Sequence, residues 1–182
     1  MTHTKNIFQF KSYKENKMSV VTGKAFWAKL DRAVNKFNPE KPRWSIDVSL
    51  DKDGIKVIKD AAAQFDGDIT INNKGDDRGD FVSFNKDRFL NDGRELPKPR
   101  LIDAKKNDIA GTLVCNGSIV KVSFYPREWT FANKNGVKGV LKDVQVIELV
   151  EYFKDEIEEE DGYEAATGDK DLGELSDSST PF

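Results

Sequence analysis

Residues 111–152 read GTLVCNGSIVKVSFYPREWTFANKNGVKGVLKDVQVIELVEY and carry the clearest strand pattern of the chain. The pattern predicts a strand, an Asn-Gly turn, a second strand, a glycine-containing turn and a third strand. In the second strand, Val120, Val122 and Phe124 alternate with residues of the opposite face, which places them on the buried side. This stretch therefore predicts a mainly β body.

Two strands with period-two alternation are predicted upstream of this stretch. They are GKAFWAKLDRA at 23–33 and RWSIDVSL at 43–50, and a further strand is predicted at about 80–86. Their shared feature is one apolar face per strand, formed by Phe26, Ala28 and Leu30 in the first and by Trp44, Ile46, Val48 and Leu50 in the second.

One helix is predicted between these strands, from about 54 to 65, with Asp51 or Asp53 as its cap. Its apolar residues follow spacings of three, four and three, which gives a single apolar stripe. The stripe consists of Ile55, Ile58, Ala62 and Phe65. Short antiparallel strands, one helix and a basic, aromatic-bearing sheet face together favour an OB-fold, a five-stranded Greek-key barrel.

The charge is divided unevenly along the chain, although the net charge is only −3. Residues 151–182 hold 12 acidic residues and two lysines, a net charge of −10, whereas residues 1–150 carry a net charge of +7. This asymmetry predicts a body that meets a polyanion and a tail that meets a basic surface. We expect an N-terminal arm at 1–17, the barrel at 18–152 and a disordered acidic tail at 153–182.

Several function classes are disfavoured by composition. The chain has one cysteine and one histidine, Cys115 and His3, so a disulfide framework, a His/Cys zinc site and a Ser/His/Asp triad are not expected. No apolar run approaches the 20 residues of a membrane span, and no charged-then-apolar leader opens the sequence. We therefore expect a cytoplasmic protein with no cofactor and no membrane partner.

A groove for single-stranded nucleic acid is predicted from the strand faces. Lysine and arginine neutralise phosphates, and flat aromatic rings stack on bases without reading sequence. Such residues share the outer face of the 119–127 strand, and a second group lies near Trp27. The predicted binding residues are Lys24, Trp27, Lys29, Arg43, Arg100, Lys121, Tyr125 and Arg127. Trp129 and Phe131 share a face, but the sequence does not place them.

Two other functions compete with this interpretation. Asp76, Asp77 and Asp80 are closely spaced carboxylates that would suit magnesium in a phage-type nuclease or resolvase, although such spacings also arise by chance in an acid-rich chain. Alternatively, the acidic tail is the active part of an interaction module and the body only displays it.

A family resemblance appears at both ends of the best-patterned region. NGSIVKVSFYPREW, followed by NGVKGVLKDVQVIELVEYF and an acidic tail ending in Phe, resembles the single-stranded DNA-binding proteins of tailed phages. GKAFWAKLDRA and PRWSIDVSL look like the N-terminal strands of that family. The likeness spans about residues 18–153 and the tail, although 165–168, AATG, interrupts the acidic run.

The resemblance implies an OB-fold and sequence-independent binding of single-stranded DNA during phage replication, recombination and repair, without catalysis. It further implies that the tail competes with DNA for the groove and docks a polymerase, helicase or recombinase through Asp177, Pro181 and Phe182, in the host cytoplasm. Charge would attract the basic partner and the terminal ring would fill an apolar pocket. The resemblance also allows a homodimer.

Overall fold

Five β-strands close into a barrel in the computed structural model, which describes residues 17–151. The elements in chain order are β1 (Ser19–Lys29), β2 (Arg43–Ser49), α1 (Lys52–Ala62), β3 (Asn72–Asn73), β4 (Asp80–Asp87), β5 (Arg100–Ile102), β6 (Ile119–Phe131) and β7 (Lys134–Glu148). The described residues belong to one compact unit. The predicted tail, with Asp177, Pro181 and Phe182, lies outside the described residues, as does nearly all of the predicted arm.

The barrel closes through one parallel pairing. β1, β2 and β4 pair antiparallel in that order, and β1 also pairs antiparallel with β6, which pairs antiparallel with β7. β4 and β7 then join in parallel, with Asn85 opposite Val140. The short strands β3 and β5 extend the sheet beside β4 and β7. This is the topology of an OB-fold, so the predicted mainly β barrel with one helix is confirmed.

The core lies inside the barrel and follows the predicted alternation in β2 and β6. Trp44, Ile46, Val48 and Leu50 are all buried, as are Val120, Val122 and Phe124. At the centre, the rings of Phe84 and Phe124 pack with centroids 4.8 Å apart. Burying an aliphatic or aromatic side chain of this size contributes about 1.5–3 kcal/mol, so these inward residues dominate the stability of the barrel.

The helix α1 covers part of the core, as its apolar stripe predicts. Asp51 is the N-cap, and its Oδ1 accepts a hydrogen bond of 2.8 Å from the backbone N–H of Gly54. Ile58 and Ala62 are buried, and Ile55 packs against the core from the side. Within residues 17–151, no helix is both long and apolar enough to cross a membrane.

The predicted facing of β1 is wrong in its middle. Ala25 is buried and Phe26 is only partly buried, the reverse of the expected alternation, whereas Leu30 is buried as expected. The pairing with β2 shifts register between Phe26 and Lys29, and Trp27 within this bulge has a positive φ of 49°. Because a bulge inserts an extra residue, it moves the following side chains to the other face.

The predicted strand at 111–115 and the glycine-containing turn after β6 are also wrong. Residues 111–115 form no strand, and the β6–β7 turn is Ala132 and Asn133. Gly136 and Gly139 instead lie inside β7, where a Cβ would come within 2.9 Å of the rings of Trp129 and Phe84 respectively. These glycines are thus explained by packing against aromatic rings and not by a turn.

Candidate nucleic-acid interface

A row of paired residues runs around the outside of the barrel over all five of its strands. Strand register places Lys29 opposite Ser45, Ser45 opposite Asn85, Asn85 opposite Val140, and Val140 opposite Tyr125. Ser45 and Asn85 are half-buried, and both lie next in sequence to buried inward residues, so they face outward. The predicted binding residues Lys29 and Tyr125 therefore stand at the two ends of one outer row.

Cationic side chains flank this row. Arg43 pairs across strands with Asp87, and Lys138 Nζ lies 3.7 Å from Asp87 Oδ2. Arg127 is paired with Lys138 on the neighbouring strand and is exposed. This part of the outer face carries net positive charge, because it holds three cations and one carboxylate. The cations are Arg43, Lys138 and Arg127, and the carboxylate is that of Asp87.

The ends of β6 and β7 extend the outer face as a two-stranded ribbon. Trp129 and Phe131 alternate with the same parity as Tyr125 and Arg127, so the four side chains share one side of β6. Trp129 is opposite Gly136, and its ring lies over that glycine. Trp129 is 39% exposed and Phe131 is 78% exposed. The ribbon thus presents two accessible rings whose position was not predicted from the sequence. Their even spacing from Tyr125 along the strand would have placed them on its face.

Trp27 is a third accessible ring, and its backbone is held by a neighbouring loop. The residue is 60% exposed, and its backbone N–H donates to Asn116 Oδ1 over 2.8 Å. On either side of this contact, the N–H of Gly117 donates to the Ala25 carbonyl and the Ala25 N–H donates to the Ser118 carbonyl. The Asn-Gly turn predicted at 116–117 therefore supports the β1 bulge that displays Trp27.

A buried arginine lies beneath Trp27, and it was not predicted from the sequence. The Arg78 guanidinium carbon is 4.7 Å from the Trp27 ring centroid and 3.9 Å from that of Phe81. Arg78 Nη1 donates to Asp47 Oδ2 over 2.7 Å and its Nε donates to Asp76 Oδ1 over 3.0 Å. Asp47 and Asp76 together hold the guanidinium in place, and the hydrogen bonds from Arg78 lower the pKa of Asp76.

The remaining predicted residues lie elsewhere on the barrel. Lys24 of β1 lies opposite Ser49 of β2 on one side and opposite Ile119 of β6 on the other. Lys121 of β6 lies opposite Thr22 of β1. Both lysines are exposed. Arg100 makes a two-pronged contact with Asp143, with Nη2 2.8 Å from Oδ2 and Nε 3.2 Å from Oδ1. Arg100 thus already has a carboxylate partner within the protein.

The acidic cluster proposed for magnesium is not assembled. Asp76 is engaged by Arg78, and Asp80 Oδ1 accepts a hydrogen bond from Asn73 Nδ2 over 2.8 Å. Among residues 17–151 there is no group of three or more His, Cys, Asp or Glu side chains placed to hold a metal ion. The geometry therefore gives the nuclease alternative no support.

The fold is shared with solved structures, although no protein-family model and no curated protein matches the sequence. Gp2.5, a single-stranded DNA-binding protein encoded by bacteriophage T7, matches with a TM-score of 0.57 at 17% identity over 82% of this chain and 99% of that one. The single-stranded DNA-binding protein of bacteriophage Enc34 matches with a TM-score of 0.54 at 12% identity over 80% of this chain and 88% of that one. A structure of the Enc34 protein in complex with single-stranded DNA matches with a TM-score of 0.54 at 13% identity over 76% and 90%.

Proposed function

We propose that this chain binds single-stranded DNA without sequence preference, as a non-enzymatic protein of phage DNA replication, recombination and repair. The observation that carries the proposal is the outer surface of the barrel, where rings and cations border one row of paired residues. The shared fold supports it, because the matching structures are of phage single-stranded DNA-binding proteins and one holds single-stranded DNA. In OB-folds the face of the second and third barrel strands, here β2 and β4, binds oligonucleotides.

The chemistry of the face suits an unpaired strand. Tyr125, Trp129 and Phe131 offer rings for base stacking, which contributes about 1–3 kcal/mol per base and is available only where bases are unstacked from a duplex. Lys29, Arg43, Arg127 and Lys138 would neutralise phosphates. Ser45 and Asn85, which lie between these cations, are neutral hydrogen-bonding groups and add no charge to the middle of the face.

The acidic tail is proposed to regulate the same face. Its charge of −10 over 151–182 is opposite to that of the body, so it would compete with DNA for the cationic groove. When DNA displaces it, Asp177, Pro181 and Phe182 would be available to recruit a polymerase, helicase or recombinase with a basic, apolar pocket. A homodimer, in which each tail covers the groove of its partner, is part of the proposal.

Salt dependence tests the groove directly. Each phosphate neutralised on a single strand contributes about −0.7 to the slope of log affinity against log salt. We expect Arg127→Ala and Lys138→Ala each to make the slope for oligothymidylate less steep by roughly 0.7. Lys56→Ala on the exposed side of α1 is the matched control and should leave the slope unchanged. Equal slopes for all four proteins would contradict the placement of the groove.

A further inference from the structure

The exposed Trp27 ring rests on Arg78, which is itself only 5% exposed. We propose that the open face of Trp27 is a fixed stacking platform for one nucleobase and that Arg78 is the positioning residue that holds it. The inference rests on the proposed function and adds a binding subsite to it. Its basis is the layered contact of Phe81, Arg78 and Trp27 on the outer side of the barrel.

Arg78 is poorly suited to bind a phosphate. Its guanidinium donates to Asp47 and Asp76, so its charge is already compensated by two carboxylates. Asp47 is fixed in turn by Ser83, whose Oγ donates to Asp47 Oδ1 over 2.6 Å. Each of the three guanidinium nitrogens of Arg78 donates to one of these carboxylates, and its guanidinium carbon lies over both the Trp27 ring and the Phe81 ring.

Arg78 contacts both Phe81 and Trp27, and of these three residues only Trp27 is exposed to solvent. Phe81 is 2% exposed although it lies on the outer side of β4, because Arg78 covers it. Arg78 in turn covers one face of Trp27, whose residue remains 60% exposed. A nucleobase would add the next layer on the free face of the indole, where stacking needs no particular base.

The backbone around Trp27 is fixed by hydrogen bonds with residues 116–118. Trp27 has a φ of 49°, a left-handed conformation that is costly for a bulky residue and persists only where surrounding contacts enforce it. Asn116 accepts the Trp27 N–H, and the two hydrogen bonds between Ala25 and residues 117–118 flank that contact. The ring is thus pre-oriented by the loop at its backbone and by Arg78 at its face, which reduces the ordering cost of stacking.

The platform borders the proposed groove. Asp47, which holds Arg78, is opposite Phe26 on β1 and Ser83 on β4. These paired residues lie directly beside the Lys29–Ser45–Asn85 row on the same three strands. A DNA strand bound along that row would have Trp27 beside its Lys29 end and Tyr125 at its other end. The two aromatic positions therefore lie at opposite ends of the row.

Affinity and salt slope for oligothymidylate, measured together on the full chain, test the platform. We expect Trp27→Ala to weaken binding by roughly 5- to 150-fold, the equivalent of one stacked base, with an unchanged salt slope because no phosphate contact is lost. Trp27→Phe should retain much of the affinity. Phe37→Ala, which removes a ring that is 97% exposed outside the row, is the control and should bind like the parent.

The role of Arg78 is tested by Arg78→Lys and Arg78→Met. If Arg78 positions Trp27, Arg78→Lys should lose as much affinity as Arg78→Met, although the lysine keeps the positive charge. Combining Trp27→Ala with either Arg78 variant should then add little further loss of affinity. A less steep salt slope in Arg78→Met would instead identify a phosphate ligand and overturn the positioning role. Should neither Arg78 variant fold, Asp76→Asn is the alternative test. It removes the more exposed of the two carboxylate partners of Arg78 and should also weaken binding.

The outcomes separate this inference from the proposed function. If the parent protein binds oligothymidylate and Trp27→Ala binds equally well, the platform is wrong and the groove stands. If the parent protein does not bind oligothymidylate, the proposed function fails and the platform with it.

Discussion

At the scale of single residues, the aromatic rings determine which side chains the neighbouring strand can carry. Gly139 faces Phe84 and Phe124 in the core, and Gly136 lies beneath Trp129 on the ribbon. A methyl group at Gly139 would overpack a closed core, which costs about 1–3 kcal/mol. A methyl group at Gly136 would instead push an accessible ring, so the same substitution has a different consequence at the two positions.

Gly136→Ala is expected to weaken binding of single-stranded DNA with little change in the free energy of unfolding. The added Cβ would lie within 2.9 Å of the Trp129 ring, which must leave its place over the strand. The affinity for oligothymidylate should fall toward that of Trp129→Ala, while urea unfolding shifts by less than about 1 kcal/mol. Unchanged affinity in both variants would remove Trp129 from the interface.

Asp87→Asn is expected to strengthen binding at low salt. The carboxylate lies between Arg43 and Lys138 on the cationic face, where it opposes the approach of phosphates. Removing one exposed charge should raise affinity by up to about fivefold, because exposed charge interactions reach ~1 kcal/mol, and the gain should fade as salt is added. Asp60→Asn on α1 serves as control. Weaker binding by Asp87→Asn would indicate that the carboxylate orients the two cations for DNA.

At the scale of elements, the ion pair between Arg100 and Asp143 ties β5 to β7. Burial opposes ionisation of Asp143, but the hydrogen bonds and charge of Arg100 outweigh it, so the pKa of Asp143 is lowered from its ordinary value of 3.8. A lowered carboxyl pKa stabilises the folded state above the ordinary value, and this stabilisation is lost as the pH falls through the folded pKa.

Arg100→Ala should therefore destabilise the protein near neutral pH and much less in acid. The measurement is urea unfolding of parent and variant at pH 7 and again at a pH well below the ordinary aspartate pKa, comparing the difference between the two proteins. Arg94→Ala, which removes an exposed ion pair with Asp92, is the control and should have little effect at either pH. A difference that stays constant with pH would contradict the proposed link to Asp143.

The sequence predicted those elements whose pattern is regular and failed where packing between elements overrides it. Alternation in RWSIDVSL and IVKVSFYPR matched the buried residues, because one face of each strand meets the core. The predicted facing of β1 failed because the bulge at Trp27 depends on contacts with residues 116–118, which no local pattern reveals. The predicted glycine-containing turn failed because the role of Gly136 depends on a ring from another strand.

For the candidate site, the sequence could predict strand faces but not contacts between distant segments. Lys29, Arg43, Tyr125 and Arg127 were assigned from strand parity, and the structure places all four along or beside one outer row. Arg78 was missed, because it lies in a loop of Asp and Gly residues and becomes important only through Asp47, Phe81 and Trp27. Trp27 and Arg78 are 51 residues apart, and a tertiary contact over this distance leaves no periodic signal in the sequence.

At the scale of the whole molecule, the division of charge suggests regulation by the tail. A protein truncated after Glu151 loses most of the acidic segment, so it should bind oligothymidylate more tightly than the full chain at low salt. The advantage should shrink as salt screens the tail from the groove. Fluorescence anisotropy of both proteins over a salt series measures this, and equal affinities at every salt concentration would rule out competition by the tail.

The preference between single-stranded and duplex DNA is the decisive test of the proposed function. Fluorescence anisotropy of the full chain would compare an oligothymidylate, longer than the roughly 4–16 nucleotides that one OB-fold occupies, with the duplex of the same length at matched salt. The proposed function predicts tighter binding to the single strand, because only unpaired bases can stack on Trp27, Tyr125 and Trp129. Equal or tighter binding to the duplex would contradict it.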